Sequence, residues 1–228
     1  SKDFSPHGFL RVAAVTPEVS IGDPLTNACR ISSHLQTLAQ QQVAIAVFPE
    51  LCLSGYSAED LFFTDKLLTD CRQALTQLTR QNPLPLCAVG LPWRLPDGRL
   101  LNCAALLSGD KVLGMVPKSV HPNYGEFYDQ RWFVSGAAIN ETAVTEDLGN
   151  FHIRCDQLFE LGEHLIGVEI CEDLWAPINP GTTAALAGAT VVVNLSASNE
   201  LISKAEYRRD LVRMQSAKNL CGYVYASA

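Results

Sequence analysis

The sequence predicts an α/β domain in which strands buried on both faces alternate with amphipathic helices. Three observations carry that reading. "VAIAVFPE" (residues 43–50) is apolar on both faces until its end, as a strand covered from two sides must be. Ala28, Ile31, Leu35 and Leu38 recur at spacings of three and four, the period of a helix with one buried stripe. The same rhythm returns after Leu165, and no internal repeat or clear linker divides the chain, so residues 1–228 read as one domain.

Each element follows from its residues. "FLRVAAVTP" (residues 9–17) is a strand stopped by a proline. Asp23 caps the next helix and Pro24 fits its first turn, where no N–H is needed. After the 43–50 strand, Ser57 is expected to cap a second helix, with Glu59 and Asp60 in its first turn and a core stripe of Leu61, Leu68, Cys71, Leu75 and Leu78. "LCAVGLPW" is a strand, "LPDGR" a turn, and "LLNCAALLSGDKVLGMVPK" a hairpin closed at Ser108, Gly109 and Asp110. Residues 119–150 read mostly as loop, rich in aromatic and polar side chains, and long loops in small domains are often functional. A strand over 165–170, a short helix after Pro180 and a strand "ATVVVNLSAS" follow. The last helix, "KAEYRRDLVRMQSAKNLCG", carries Tyr207, Leu211, Met214, Ala217 and Cys221 on one face, and "YVYASA" is a final strand.

Composition narrows the class. Hydrophobic residues make up 47% and charged residues 18% of the chain, and no segment is low in complexity, which suits a soluble globular protein. The net charge of −7 argues against general nucleic-acid binding. No apolar run reaches the roughly 18 residues of a membrane span, and the N-terminus lacks a signal-peptide core. The eight cysteines are irregularly spaced and sit mostly within apolar stretches, so a reducing cytoplasm is expected. No metal site is expected, because no C-x-x-C pair or histidine cluster is present. The region after the first strand has no G-x-G-x-x-G, which leaves a dinucleotide-binding domain without support.

Three apolar segments run into a reactive side chain: Glu50 after "AIAVFP", Lys118 after "VLGMVP" and Cys171 after "IGVEI". Ligands collect at strand C-termini in α/β sheets. A carboxylate there can take a thiol proton, a thiolate can attack a carbonyl carbon, and an ammonium can hold the oxyanion. Taken singly, each has a plain structural reading, as core filler, turn carboxylate or surface lysine. Only the three together point to chemistry. Glu172 and Asp173 directly after Cys171 oppose thiolate formation, so Cys171 is either a buried filler that never ionises or a nucleophile activated from elsewhere in the chain.

"VFPELCLSGY", "PKSVHPNYGEFYDQRWF" and "GVEICEDLW" resemble the three signature segments of the nitrilase superfamily, the carbon–nitrogen hydrolases with a Glu-Lys-Cys triad. Together with "NLSASNELISKAEYRR", the middle and last segments are similar to the glutaminase domains of glutamine-dependent NAD synthetases, and the resemblance runs from Phe9 to Ala228. It implies an αββα sandwich that stops before its last strands. It implies Glu50 as general base, Lys118 as oxyanion stabiliser, Cys171 as nucleophile and Glu126 as a second glutamate beside the triad, with the Glu172 backbone N–H completing the oxyanion hole. Cys171 would attack the side-chain amide of glutamine, releasing ammonia, and water would hydrolyse the thioester.

The same resemblance implies the substrate pocket. Glu172 would accept from the α-ammonium, Tyr124 and Ser198 would supply hydrogen bonds, and Trp175 would wall the aliphatic stem. Lys204 stands where the family commonly has an arginine for the α-carboxylate, and lysine keeps the charge but loses the bidentate fork. Arg208, Arg209 and Arg213 read as a solvated face balanced by Glu206 and Asp210. No cofactor is implied for this half. ATP and Mg belong to a C-terminal synthetase domain that would amidate deamido-NAD, and that domain is expected to lie outside this chain. A homo-oligomer is implied as well. Two other readings keep the triad: an ω-amidase or N-carbamoyl amino-acid hydrolase with a different pocket, and a non-catalytic assembly module.

Overall fold

A computed structural model describes residues 8–125, 127–198 and 204–228. Among them, eleven strands form two sheets. The larger holds β1 (Val12–Ala14), β2 (Ile45–Val47), β3 (Leu86–Arg94), β4 (Leu100–Ser108), β5 (Lys111–Pro117), β6 (Asn140–Thr145) and β7 (Gly149–Arg154), in the order β1-β2-β3-β4-β5-β7-β6. The smaller holds β8 (Phe159–Leu161), β9 (His164–Ile170), β10 (Val191–Ser196) and β11 (Gly222–Ser227), in the order β11-β10-β9-β8. Helices α1 (Pro24–Gln40) and α2 (Asp65–Gln81) cover the larger sheet, while α4 (Pro180–Leu186) and α5 (Lys204–Asn219) lie on the smaller one; α3 is a single turn, Asp129–Trp132.

Alternation along the strands produces the four layers. Ala46, Phe48, Cys87, Val89, Cys103 and Ala105 point toward Ala28, Ile31, Leu35, Leu75 and Leu78 of α1 and α2. Their neighbours Ile45, Val47, Leu86, Ala88, Ala104 and Leu106 point the other way, against Ile166, Val168, Val193 and Leu195 of the second sheet. Successive side chains of a strand face opposite sides, so a strand in the middle of this sandwich must be apolar throughout. Residues 43–50 are accordingly all buried. The fold is the αββα sandwich expected from the sequence.

The Asp23 cap is as expected, its side chain accepting from Thr26 N at 3.1 Å, with Pro24 opening α1. The second helix begins later than predicted. Thr64, not Ser57, caps α2, and residues 56–63 are 3-10 turns broken at Glu59, whose φ is +50°. Leu61 therefore lies outside the helix and is 46% exposed, while Cys71, Leu75 and Leu78 are buried as predicted. The region 119–150 is less loop-like than expected, because it contains α3 and most of the β6–β7 hairpin. The apolar stripe on α5 is real in sequence but uncovered in the structure: Tyr207 is 59% and Met214 66% exposed, and no residue of that helix is buried. Cys221 is buried, but beyond the helix end.

Candidate active site

Glu50, Lys118 and Cys171 converge where the two sheets meet. The chain leaving β2 is pressed against β3. Gly90 permits this approach, because a Cβ there would stand 2.3 Å from Leu51 N and 2.6 Å from Pro49 O. Glu50 is thereby turned inward and is 2% exposed. Lys118 follows the last residue of β5, and its N–H is held by Asn102 O at 2.8 Å. Its side chain is fully buried, with Nζ donating to Glu50 Oε1 at 2.6 Å and to Asp129 Oδ2 at 2.8 Å.

Two buried ions survive out of water only when each has a partner and its remaining positions are filled. Glu50 Oε1 also accepts from Asn102 Nδ2 at 2.8 Å, and Oε2 accepts from Ala197 N at 3.1 Å, across from the other sheet. Asp129 accepts from the Tyr56 hydroxyl at 2.6 Å. Burial opposes the Lys118 charge, but Glu50, the Cys171 sulfur and Asp129 outweigh it, so Lys118 stays protonated well above its ordinary value. Burial also opposes the Asp129 charge, yet His121, Lys118 and Tyr56 hold its carboxyl down at about 2. Lys118 spends two of its three N–H groups on carboxylates among the described residues, which leaves one for an incoming oxyanion.

Cys171 follows β9 directly and opens a 3-10 turn (Cys171–Trp175) with φ at +45°, a conformation that side chains with a Cβ rarely adopt. Its N–H donates to Asn194 Oδ1 at 3.2 Å, and Ser196 Oγ donates to its sulfur at 3.2 Å. The Tyr225 hydroxyl donates in turn to Ser196 Oγ at 2.6 Å. Burial and the Glu50 carboxylate push the thiol up to about 12, against the pull of Lys118 and Ser196. At that value Cys171 rests as a neutral thiol, with the Glu50 carboxylate near enough to oppose its ionisation.

The neighbouring acids are turned to other work. Asp173 accepts from Ser119 N at 3.0 Å, Val120 N at 2.8 Å and Ile170 N at 3.1 Å, tying the start of the post-Lys118 loop to the end of β9. Burial still raises its carboxyl to about 7. Glu172 accepts from the exposed Tyr124 hydroxyl at 3.0 and 3.1 Å. Of the carboxylates, it is Glu50 that weighs most on the thiol.

A cleft of about 430 Å³ opens beside Glu50, lined in part by Tyr56, Phe127, Ala197 and Ser198. Lys204 Nζ lies 5.9 Å from the ring centroids of both Phe127, which lines the cleft, and Trp175, which does not, and Trp175 stacks on Tyr207 at 5.4 Å. Glu126 lies outside the described residues. Arg131 and Trp132 bind Asp60, pinning the aromatic loop to the 3-10 turns, and Arg213 lies 3.6 Å from Asp210. Arg208, read from sequence as solvated, instead sits 6.0 Å from the Tyr225 ring centroid. His121 Nε2 lies 3.0 Å from Val134 O, and its Nδ1 lies 3.6 Å from Asp129 Oδ2. Sequence reasoning missed Asn102, Asp129, Asn194 and Ser196. Asn102 and Asn194 each interrupt a long apolar strand run, and that was the signal available.

The eight cysteines are all free. Among the described residues no group of three or more His, Cys, Asp or Glu is arranged to hold a metal ion, and no helix is long and apolar enough to cross a membrane.

Residues 11–228 match the family model for carbon-nitrogen hydrolases. The chain is 43% identical over 227 residues to a glutamine-dependent NAD(+) synthetase of Mycobacterium tuberculosis, covering 97% of this chain and 33% of that protein. It is 29% identical over 213 residues to the human protein of the same name, covering 89% and 30%. Among solved structures, a glutamine-dependent NAD(+) synthetase from Cytophaga hutchinsonii superposes with a TM-score of 0.86 at 30% identity, over 96% of this chain and 36% of that one. An amidase of the nitrilase superfamily from Nesterenkonia shares the fold, with a TM-score of 0.76 at 19% identity over 96% and 76% of the two chains. The chain spans about a third of the length of the synthetases it matches.

Proposed function

The chain belongs to the carbon–nitrogen hydrolase family, and on that premise we propose that it hydrolyses the side-chain amide of glutamine through a thioester on Cys171. The carrying observation is the buried Lys118–Glu50 pair at 2.6 Å beside the thiol. Glu50 takes the Sγ proton as sulfur attacks the amide carbon. The third N–H of Lys118 and the backbone N–H of Glu172 hold the oxyanion. Glu50 then returns the proton to the leaving nitrogen, and ammonia departs. Water enters, gives a proton to Glu50 and attacks the thioester; the tetrahedral adduct collapses, the proton returns to sulfur, and glutamate is released. Glu126 is the second glutamate that the family resemblance implies for this reaction.

Substrate selection rests on the rim. Glu172, presented with Tyr124, accepts from the α-ammonium; Lys204 meets the α-carboxylate; Ser198 adds a hydrogen bond and Trp175 walls the stem. The ammonia serves a C-terminal synthetase domain that amidates deamido-NAD with ATP and Mg, and the glutaminase half needs no cofactor of its own. The full set of free cysteines supports a reducing, cytoplasmic setting. The exposed Met214 and the partly exposed Tyr207 of α5 support a homo-oligomer, which a sizing column tests.

The decisive experiment is intact-mass labelling with an electrophilic glutamine analogue. A single adduct that excess glutamine blocks and Cys171→Ala abolishes is the expected result. An adduct protected equally by simple aliphatic amides would favour an ω-amidase instead. Folded protein that takes no adduct would support an assembly module.

A further inference from the structure

The outer face of the four-stranded sheet carries buried polar groups that the reaction leaves unused. Glu169, on β9, is fully buried two residues before Cys171. One of its oxygens accepts from Gly181 N, in the first turn of α4, at 2.7 Å. The other accepts from the Tyr223 hydroxyl on β11. Tyr223 accepts from Asn194 Nδ2 at 3.1 Å, and Asn194 Oδ1 accepts from Cys171 N at 3.2 Å. Asn194 stands directly beside Glu169 in the β9–β10 register, so three adjacent strands build one hydrogen-bond chain.

The chain has a direction. Burial raises the Glu169 carboxyl from its ordinary value, and hydrogen bonds from Tyr223, Gly181 and Asn194 pull it back down; as a carboxylate it only accepts, so Tyr223 donates to it. Its oxygen is then open to a donor, and Asn194 turns its NH₂ toward it. That leaves the amide oxygen, and not the amide nitrogen, facing the Cys171 N–H. We propose that Glu169 is a positioning residue for the nucleophile, fixing through Tyr223 which end of the Asn194 amide receives the Cys171 backbone. The Cys171 backbone has a φ of +45°, so it persists only where its surroundings over-determine it. The proposal rests on Cys171 being the nucleophile.

Glu169→Gln separates positioning from mere packing. The glutamine oxygen must serve the Gly181 N–H, so its NH₂ faces Tyr223. Tyr223 then has donors on both sides, its proton turns to Asn194, and the amide flips its nitrogen onto the Cys171 N–H. Two readouts are taken on the same protein: alkylation of Cys171 by iodoacetamide, followed on its own peptide, and ammonia release from glutamine. Glu169→Gln is expected to lower both the alkylation rate and kcat about tenfold, with KM within about twofold. Adding Tyr223→Phe removes the conflicting hydroxyl, so the double variant should be no slower than Tyr223→Phe alone. Unchanged rates, a change confined to KM or to melting temperature, or losses that simply multiply would overturn the proposal. Should Glu169→Gln fail to fold, Tyr223→Phe alone decides: a fall in kcat and alkylation at constant KM supports it, and no fall overturns it. Slower alkylation in a protein that releases no ammonia would uphold the positioning and sink the glutaminase reading instead.

Discussion

The two sheets supply unlike halves of the site. The larger sheet and the loop after β5 bring Glu50, Asn102, Lys118 and Asp129, with Lys118 and Asn102 donating to Glu50 and Lys118 also to Asp129. The smaller brings Cys171, Asn194 and Ser196, all neutral at rest. The difference has a physical reason. Two ions in a dry interior offset each other's desolvation only when they are in contact, whereas a thiol can be buried at little cost until it is asked to ionise. The charged half is thus coupled to folding and the neutral half to rate, and each can be broken on its own.

The largest separation is expected from Cys171→Ala. Ammonia release should fall by a factor on the order of 10⁴ or more, while the urea midpoint barely moves. Lys118→Met attacks the other half, leaving Glu50 and Asp129 buried without their cation. It should cost about 3–5 kcal/mol in urea unfolding and abolish turnover as well. A loss of turnover at wild-type stability would show the cluster to be less dry than its burial indicates.

Asp173 bridges the halves and gives a pH test. Its folded-state carboxyl lies at about 7, above the 3.8 of the unstructured group, so the folded state binds the extra proton between those values. The contribution of Asp173 to stability then falls as pH rises from about 4 to 7, by a few kcal/mol. Asp173→Asn should remove that slope whatever its absolute stability, as read from urea unfolding across the range. Asp129 works in the opposite sense: its folded value of about 2 adds stability that is complete above about 4 and lost as pH drops toward 2.

A smaller effect belongs to Ser196→Ala, which deletes the hydroxyl donated to the Cys171 sulfur. Hydrogen bonds to charged groups contribute about 1.5–3 kcal/mol, so alkylation of Cys171 should slow at least about tenfold near neutral pH. The charged half should be untouched, while the Tyr225 hydroxyl loses its acceptor, so stability should fall by about 1 kcal/mol. The smallest effect sits outside both halves. Lys204→Arg restores a bidentate fork at the rim and should lower KM for glutamine about threefold at constant kcat.

Much of this was legible in the sequence. Strands apolar on both faces, the Asp23–Pro24 helix start and the reactive residues ending three apolar segments are local patterns, and the structure reproduces them. Non-local partners were not legible. Asp129 is an ordinary loop acid until the fold sets it 2.8 Å from Lys118, and Asn194 is a flaw in an apolar strand until Cys171 turns to meet it. Thr64 displaced Ser57 because the 3-10 turns of residues 56–63 come between the expected cap and the helix. The α5 stripe shows another limit: spacing reveals which side chains share a face but not what covers them.

The left-handed backbone at Cys171 has a bearing on how this protein can change. Alanine there keeps a Cβ and so keeps the cost of the turn, about 1 kcal/mol, whereas glycine is free of it. Drift toward a more durable molecule therefore has an easy path through the loss of this thiol, and if the proposed chemistry holds, glycine is the replacement to look for at this position in descendants freed from it.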